Sequence, residues 1–96
     1  MNILFHVTTA GGGPLLAALA AAAQRQGASF GAFFTHEGVL GLQDAPLLAA
    51  LAGAERAVVC EESWHRFCPG RDCPVENGSQ TINSALMAEA EKVVAL

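Results

Sequence analysis

All three cysteines of the chain, one of its three histidines and its only tryptophan fall between residues 57 and 78, in "AVVCEESWHRFCPGRDCPVENG". Residues of these types, this close together, can form a metal knot, a disulfide staple or the working end of a thiol protein. Cys60 closes the apolar run "RAVVC", whereas Cys68 and Cys73 flank Pro69 and Gly70 in a stretch with loop composition. If residues 61 to 67 are helical, Cys60 lies at the helix N-terminus, where free N–H groups and the dipole lower a thiol pKa from about 8.5. Glu61 and Glu62 oppose that effect, and His65 or Arg66 would compensate. The same helix would hold Cys60 and Cys68 roughly 12 Å apart, beyond the ~7 Å reach of a disulfide. Cys68 and Cys73, five residues apart, can approach each other, and the loop can fold either back toward Cys60 as a resolving or protecting thiol. Cys60, His65, Cys68 and Cys73 are also an acceptable zinc set by chemistry, but C-x7-C-x4-C lacks the tight C-x2-C knuckle of common structural sites. The plainest alternative makes Cys60 a small buried hydrophobe at a strand end.

The elements that must position these residues read as an alternation. "ILFHVT" is a β-rich apolar run with little polar alternation, as in a strand covered on both faces of a parallel sheet. "TTAGGG" breaks it; a helix starts at Pro14 and runs through "PLLAALAAAAQRQ" to Gly27, a left-handed stop. "SFGAFFT", residues 29 to 35, is a second buried strand and completes a βαβ unit. "HEGVLGLQDA" is a glycine-punctuated connection, "PLLAALAG" a short helix, and "RAVVC" a third strand. Residues 61 to 67 make two helical turns, "CPGRDCPVENG" is an irregular loop, Ser79 caps a helix "QTINSALMAEA", and "KVVAL" is a last strand. The pattern predicts a single domain over residues 1 to 96: an α/β three-layer sandwich around a mostly parallel sheet of four to five strands. Functional groups in such sheets collect beyond the carboxyl ends of the strands. Cys60 falls there, and His36 with Glu37, at the end of the second strand, can reach the same crevice. His6, inside an apolar strand, is expected to be a satisfied core histidine.

Composition narrows the function. A net charge of -4 with five scattered basic residues does not supply the clustered Lys and Arg of a nucleic-acid footprint. The triple glycine at 11 to 13 belongs to neither G-x-G-x-x-G nor G-K-[ST], so no nucleotide site is expected. No secretory signal or membrane span is read, and an odd number of cysteines suits a reducing compartment, so a cytoplasmic protein is expected. The first helix is apolar all round until Gln24, which predicts burial between subunits of a homo-oligomer.

The string "FGAFFTHEGVLGL", the strand closing on cysteine in "RAVVCEES" and the ending "SALMAEAEKVVAL" together resemble the DsrE/TusD-like sulfur-relay family over nearly the whole chain. The resemblance implies a DsrE-like (flavodoxin-like) sandwich, assembly as trimers or hexamers, and a cysteine that carries sulfane sulfur as a persulfide between donor and acceptor proteins. Cys60 matches the family's sulfur-carrying position. Such a sulfurtransferase needs an exposed, acidic thiol and neither cofactor nor metal. On this reading Cys68 and Cys73 are secondary thiols, and His65, Arg66 and His36 are candidate stabilisers of the anionic sulfur. The chain departs from the family pattern after Cys60, where Glu61, Glu62, Trp64 and His65 stand in place of small apolar residues and an Arg-Gly pair. Two other readings remain: a zinc- or redox-sensing module built on the Cys60, Cys68 and Cys73 segment, and a catalytically silent assembly subunit.

Overall fold

The apolar runs become the strands of one sheet in the computed structural model, which describes residues 1–96. The strands are β1 (Ile3–Val7), β2 (Phe30–Phe34), β3 (Arg56–Cys60), β4 (Glu76–Gly78) and β5 (Lys92–Ala95). Every pairing is parallel, in the order β4-β3-β2-β1-β5. Four helices connect them: α1 (Gly12–Arg25), α2 (Ala45–Leu51), α3 (Glu61–Phe67) and α4 (Gln80–Glu89), with a 3-10 segment over His36–Gln43. The α/β class and the parallel sheet between helical layers are those expected from the sequence. The winding is distinct from the 2-1-3-4-5 order of flavodoxin itself. The chain here steps outward from β1 to β4 in one direction and returns to the far side of β1 with β5.

That return decides which helix covers which face. Right-handed crossovers that progress in opposite directions put their helices on opposite sides of a sheet. On one face Phe5, Phe30, Phe34 and Val59 pack with Leu16 and Ala20 of α1, Leu47 of α2 and Trp64 of α3. On the other, Leu4, Phe33, Val58 and Cys60 pack with Leu86 of α4. Strand side chains alternate between faces, so an unbroken apolar run is what a doubly covered strand requires. The α4 layer is thin: Val93 and Ala95 of β5, together with Met87 of α4, remain exposed.

Three boundaries differ from the sequence expectation. Helix α1 begins at Gly12, two residues before Pro14, which a first turn tolerates because its N–H groups have no helical partners. Gly12 is needed for close packing: a Cβ there would lie 2.8 Å from Val7 Cγ1. The connection after β2 coils into the 3-10 segment, in which Gly38 presses on the Val7 carbonyl. Residues 76 to 78, expected in a loop, form the edge strand β4, tied to β3 by the Arg56–Glu76 ion pair. Gly27, at φ +71, follows α1 in the left-handed conformation expected of a helix stop.

Candidate functional site

Cys60 is at once the last residue of β3 and the N-cap of α3, so the strand runs into the helix without a loop. Its side chain falls on the α4 face of the sheet. Only 6% of the residue is exposed, yet it forms part of the floor of two adjoining cavities. One, of about 340 Å³, is bounded by Glu61, Glu62 and His65 of α3 and by Gly78, Ser79 and Gln80. The other, of about 440 Å³, is bounded by Thr35, His36, Ser63 and Arg66 among others. The residue is buried, not exposed as the resemblance implies, because it packs against Phe33, Val58 and Leu86, and it borders both cavities.

Burial pushes the Cys60 thiol pKa up, and hydrogen bonds outweigh it. They come from the side chain and N–H of Ser63, the hydroxyl of Thr35 and the N–H of Glu62, and the net position is below the ordinary thiol range. Two of these four donors are free N–H groups of the first helical turn. The other two were not anticipated from the sequence. Ser63 stands three residues after the N-cap, and its Oγ accepts the His36 N–H and lies 3.3 Å from Thr35 Oγ1. Thr35 follows Phe34, which pairs with Val59, so the β2–β3 register sets Thr35 beside Cys60. The C-x-x-S spacing at a strand end was the available signal for Ser63; Thr35 required the register.

The expected charged stabilisers line the same cavities as Cys60, each with a further partner of its own. His65 Nε2 lies 3.7 Å from Glu61 Oε1, both exposed. The Arg66 guanidinium lies over the Phe67 ring, 5.4 Å from its centroid. His36 Nδ1 is 3.1 Å from Thr35 Oγ1, and its backbone N–H donates to Ser63 Oγ at 2.9 Å. Hydroxyls and backbone N–H groups, rather than side-chain cations, hold the Cys60 thiol pKa down.

Cys68 and Cys73 are not brought to Cys60. Cys68 is 2% exposed, accepts a hydrogen bond from Gln43 Nε2 at 3.6 Å and belongs to the core on the opposite face of the sheet. Cys73 packs against that same core and donates to the Val75 carbonyl at 3.2 Å. All three thiols are free. The loop thus does not fold either cysteine back as a resolving thiol. The zinc set of Cys60, His65, Cys68 and Cys73 is not assembled either, because the sheet separates its members, and no group of three or more His, Cys, Asp or Glu is placed to hold a metal ion.

His6 also departs from expectation. Its ring stacks on Phe33 at 6.0 Å, but Nε2 is buried without a hydrogen-bond partner, so the histidine is not satisfied. Burial, and secondarily the proximity of His36, hold its pKa below the usual histidine value. No helix of the chain is long and apolar enough to cross a membrane. Comparison of the chain with protein-family models, curated proteins and solved structures finds no match.

Proposed function

We propose that the protein is a sulfur carrier, a small sulfurtransferase that accepts sulfane sulfur on Cys60 as a persulfide and passes it to an acceptor thiol. The observation that carries this reading is the place of Cys60 at the junction of β3 and α3, bordering two open cavities, with its thiol held below the ordinary range by the neighbouring Ser63 and Thr35 hydroxyls and helix N–H groups. The thiolate is the form that attacks. A structural cysteine needs none of these donors. In the first step the Cys60 thiolate attacks the outer sulfur of a donor R–S–SH, the S–S bond of the donor breaks, and R–S⁻ leaves. In the second, an acceptor thiolate attacks the outer sulfur of Cys60–S–SH and Cys60 leaves as thiolate. Neither step changes the net oxidation state, so no cofactor enters. The same surroundings that hold the Cys60 thiol pKa down also favour it as the leaving group.

The carrier works between donor and acceptor proteins in a reducing cytoplasm, where its thiols stay free. It assembles as a homo-oligomer through the outer face of α1, on which Leu15 and Leu19 are exposed. The motif resemblance to DsrE/TusD-like proteins supports both points and suggests a trimer or hexamer.

The test is intact-mass spectrometry after incubation with a persulfide donor. The wild type is expected to gain the mass of one sulfur atom, and Cys60→Ser to gain none while Cys68→Ser and Cys73→Ser load normally. Loading that survives in Cys60→Ser rejects the assignment.

A further inference from the structure

Two opposite charges beside Cys60 are left without partners. Glu62 and Arg66 stand four residues apart on α3, the spacing at which a carboxylate and a cation on one helix face commonly pair. No ion pair of the chain includes either of them, although Glu61 is engaged by His65 at 3.7 Å. Both border the cavity of about 440 Å³ that has Cys60 in its wall. We propose that this cavity binds a small sulfur donor, the persulfide of a cysteine-like α-amino acid, with its carboxylate on Arg66 and its ammonium on Glu62. The inference rests on Cys60 being the sulfur-accepting thiol and adds a small-molecule donor to the donor proteins.

Arg66 is arranged to take a carboxylate. Its guanidinium lies over the Phe67 ring, 5.4 Å from the centroid, and Phe67 itself packs against the core. Stacking holds the flat face of the group and leaves the edge with its N–H donors free, a fork that matches the two oxygens of a carboxylate. Glu62 borders both cavities that Cys60 borders, so its carboxylate and the thiol share one wall. The other charged or titratable neighbours are otherwise disposed: His36 Nδ1 is 3.1 Å from Thr35 Oγ1, and Glu37 shares a further cavity with Arg66 without pairing with it.

The two charges select among donors. A cysteine within a protein chain has a neutral peptide nitrogen and carbonyl beside its α-carbon and satisfies neither group. A free α-amino acid carries an ammonium and a carboxylate on that one carbon and satisfies both together. The volume is at the small end of the range of about 300–1,000 Å³ usual for small-molecule sites. With the α-carbon held between Arg66 and Glu62, the persulfide arm turns toward Cys60. The Cys60 thiolate attacks the outer sulfur and the S–S bond of the donor breaks. The amino-acid thiolate leaves and takes a proton from solvent, and Cys60 keeps the sulfur as Cys60–S–SH, with no net oxidation.

The experiment uses cystine as the probe, because its exchange with the Cys60 thiolate forms a mixed disulfide and releases one cysteine thiolate without any sulfane sulfur. The reference is 2-hydroxyethyl disulfide, which lacks both charges. The rate of each at Cys60 is followed by peptide mass mapping in wild type, Arg66→Gln and Glu62→Gln. The ratio of the cystine rate to the reference rate is compared, so a change in the thiol itself cancels. Cystine has no net charge at about pH 7, so the overall field of the protein cancels as well. Both side chains are exposed, and the variants are expected to fold. The ratio is expected to fall about threefold to tenfold in each variant. A fall of less than about threefold in either variant overturns the proposal, as does the absence of a mixed disulfide on Cys60 with both probes. Disulfide exchange needs no persulfide, so failed sulfur loading with a shifted ratio sinks the carrier reading alone, and normal loading with an unshifted ratio sinks the amino-acid site alone.

Discussion

The backbone N–H of His36 donates to Ser63 Oγ at 2.9 Å, joining the residue that leaves β2 to the third residue of α3. One side chain thereby braces the strained turn after β2 and helps to hold the Cys60 thiol pKa down.

Ser63→Ala removes both functions. A hydrogen bond to a charged group contributes about 1.5 kcal/mol or more, so the thiolate fraction of Cys60 near pH 7 should fall about tenfold. The alkylation rate of Cys60 measures it; a rate within about twofold of wild type would mean that the backbone N–H groups alone hold the anion.

His6 couples stability to acid. The unfolded chain takes a proton on His6 near pH 6.5, whereas the folded chain, in which burial holds the pKa lower, does so only at more acid pH. Between those values unfolding takes up a proton, so stability present above about pH 6.5 is lost as pH falls through the window. His6→Leu should flatten that part of the profile. It should also stabilise the protein at neutral pH by up to about 1 kcal/mol, because it removes a buried nitrogen without a partner. Urea denaturation between about pH 5 and pH 8 tests both.

Gly38 has no room for a side chain, since a Cβ would run into the Val7 carbonyl oxygen. Gly38→Ala should therefore push the 3-10 segment off the end of β1 and cost about 2 kcal/mol or more, read as a lower denaturation midpoint. An unchanged midpoint would show that this segment can move freely.

Leu15 and Leu19 are 57% and 39% exposed on the outer side of α1. If α1 forms the proposed homo-oligomer interface, Leu15→Glu combined with Leu19→Glu should yield monomers in sedimentation or light scattering where the wild type is an oligomer. The fold should be little affected, since exposed substitutions usually change stability by no more than about 0.5 kcal/mol. A wild-type monomer at high concentration would remove the proposed interface.

Much of this frame was legible in the chain itself. Strand β3 and helix α3 begin and end where the sequence predicts, because "RAVVC" is a compact β-branched run and Pro69 with Gly70 stop the helix. Cys60 at their junction follows directly. Strand β4 was hidden because an edge strand shows one side to water: Glu76 and Asn77 are exposed, and only pairing with β3 makes the segment extended. The groups that lower the Cys60 thiol pKa were hidden for a related reason. A charge-based reading favours His65 and Arg66, which lie near Cys60 in sequence, whereas Thr35 arrives from a strand 25 residues earlier through a parallel register. The glycines at 11 to 13 suggested a turn; what Gly12 supplies is room for the helix against Val7.

Cys60 lies on one face of the sheet and both other cysteines pack on the opposite one. An oxidant that converts Cys60 to a sulfenic acid therefore finds no thiol of the same chain with which to condense. Rescue must come from a small thiol in solution, such as glutathione, entering the cavities; without it oxidation proceeds to the irreversible sulfinic form. A sheet that keeps its spare thiols out of reach leaves the reactive one dependent on its surroundings for repair.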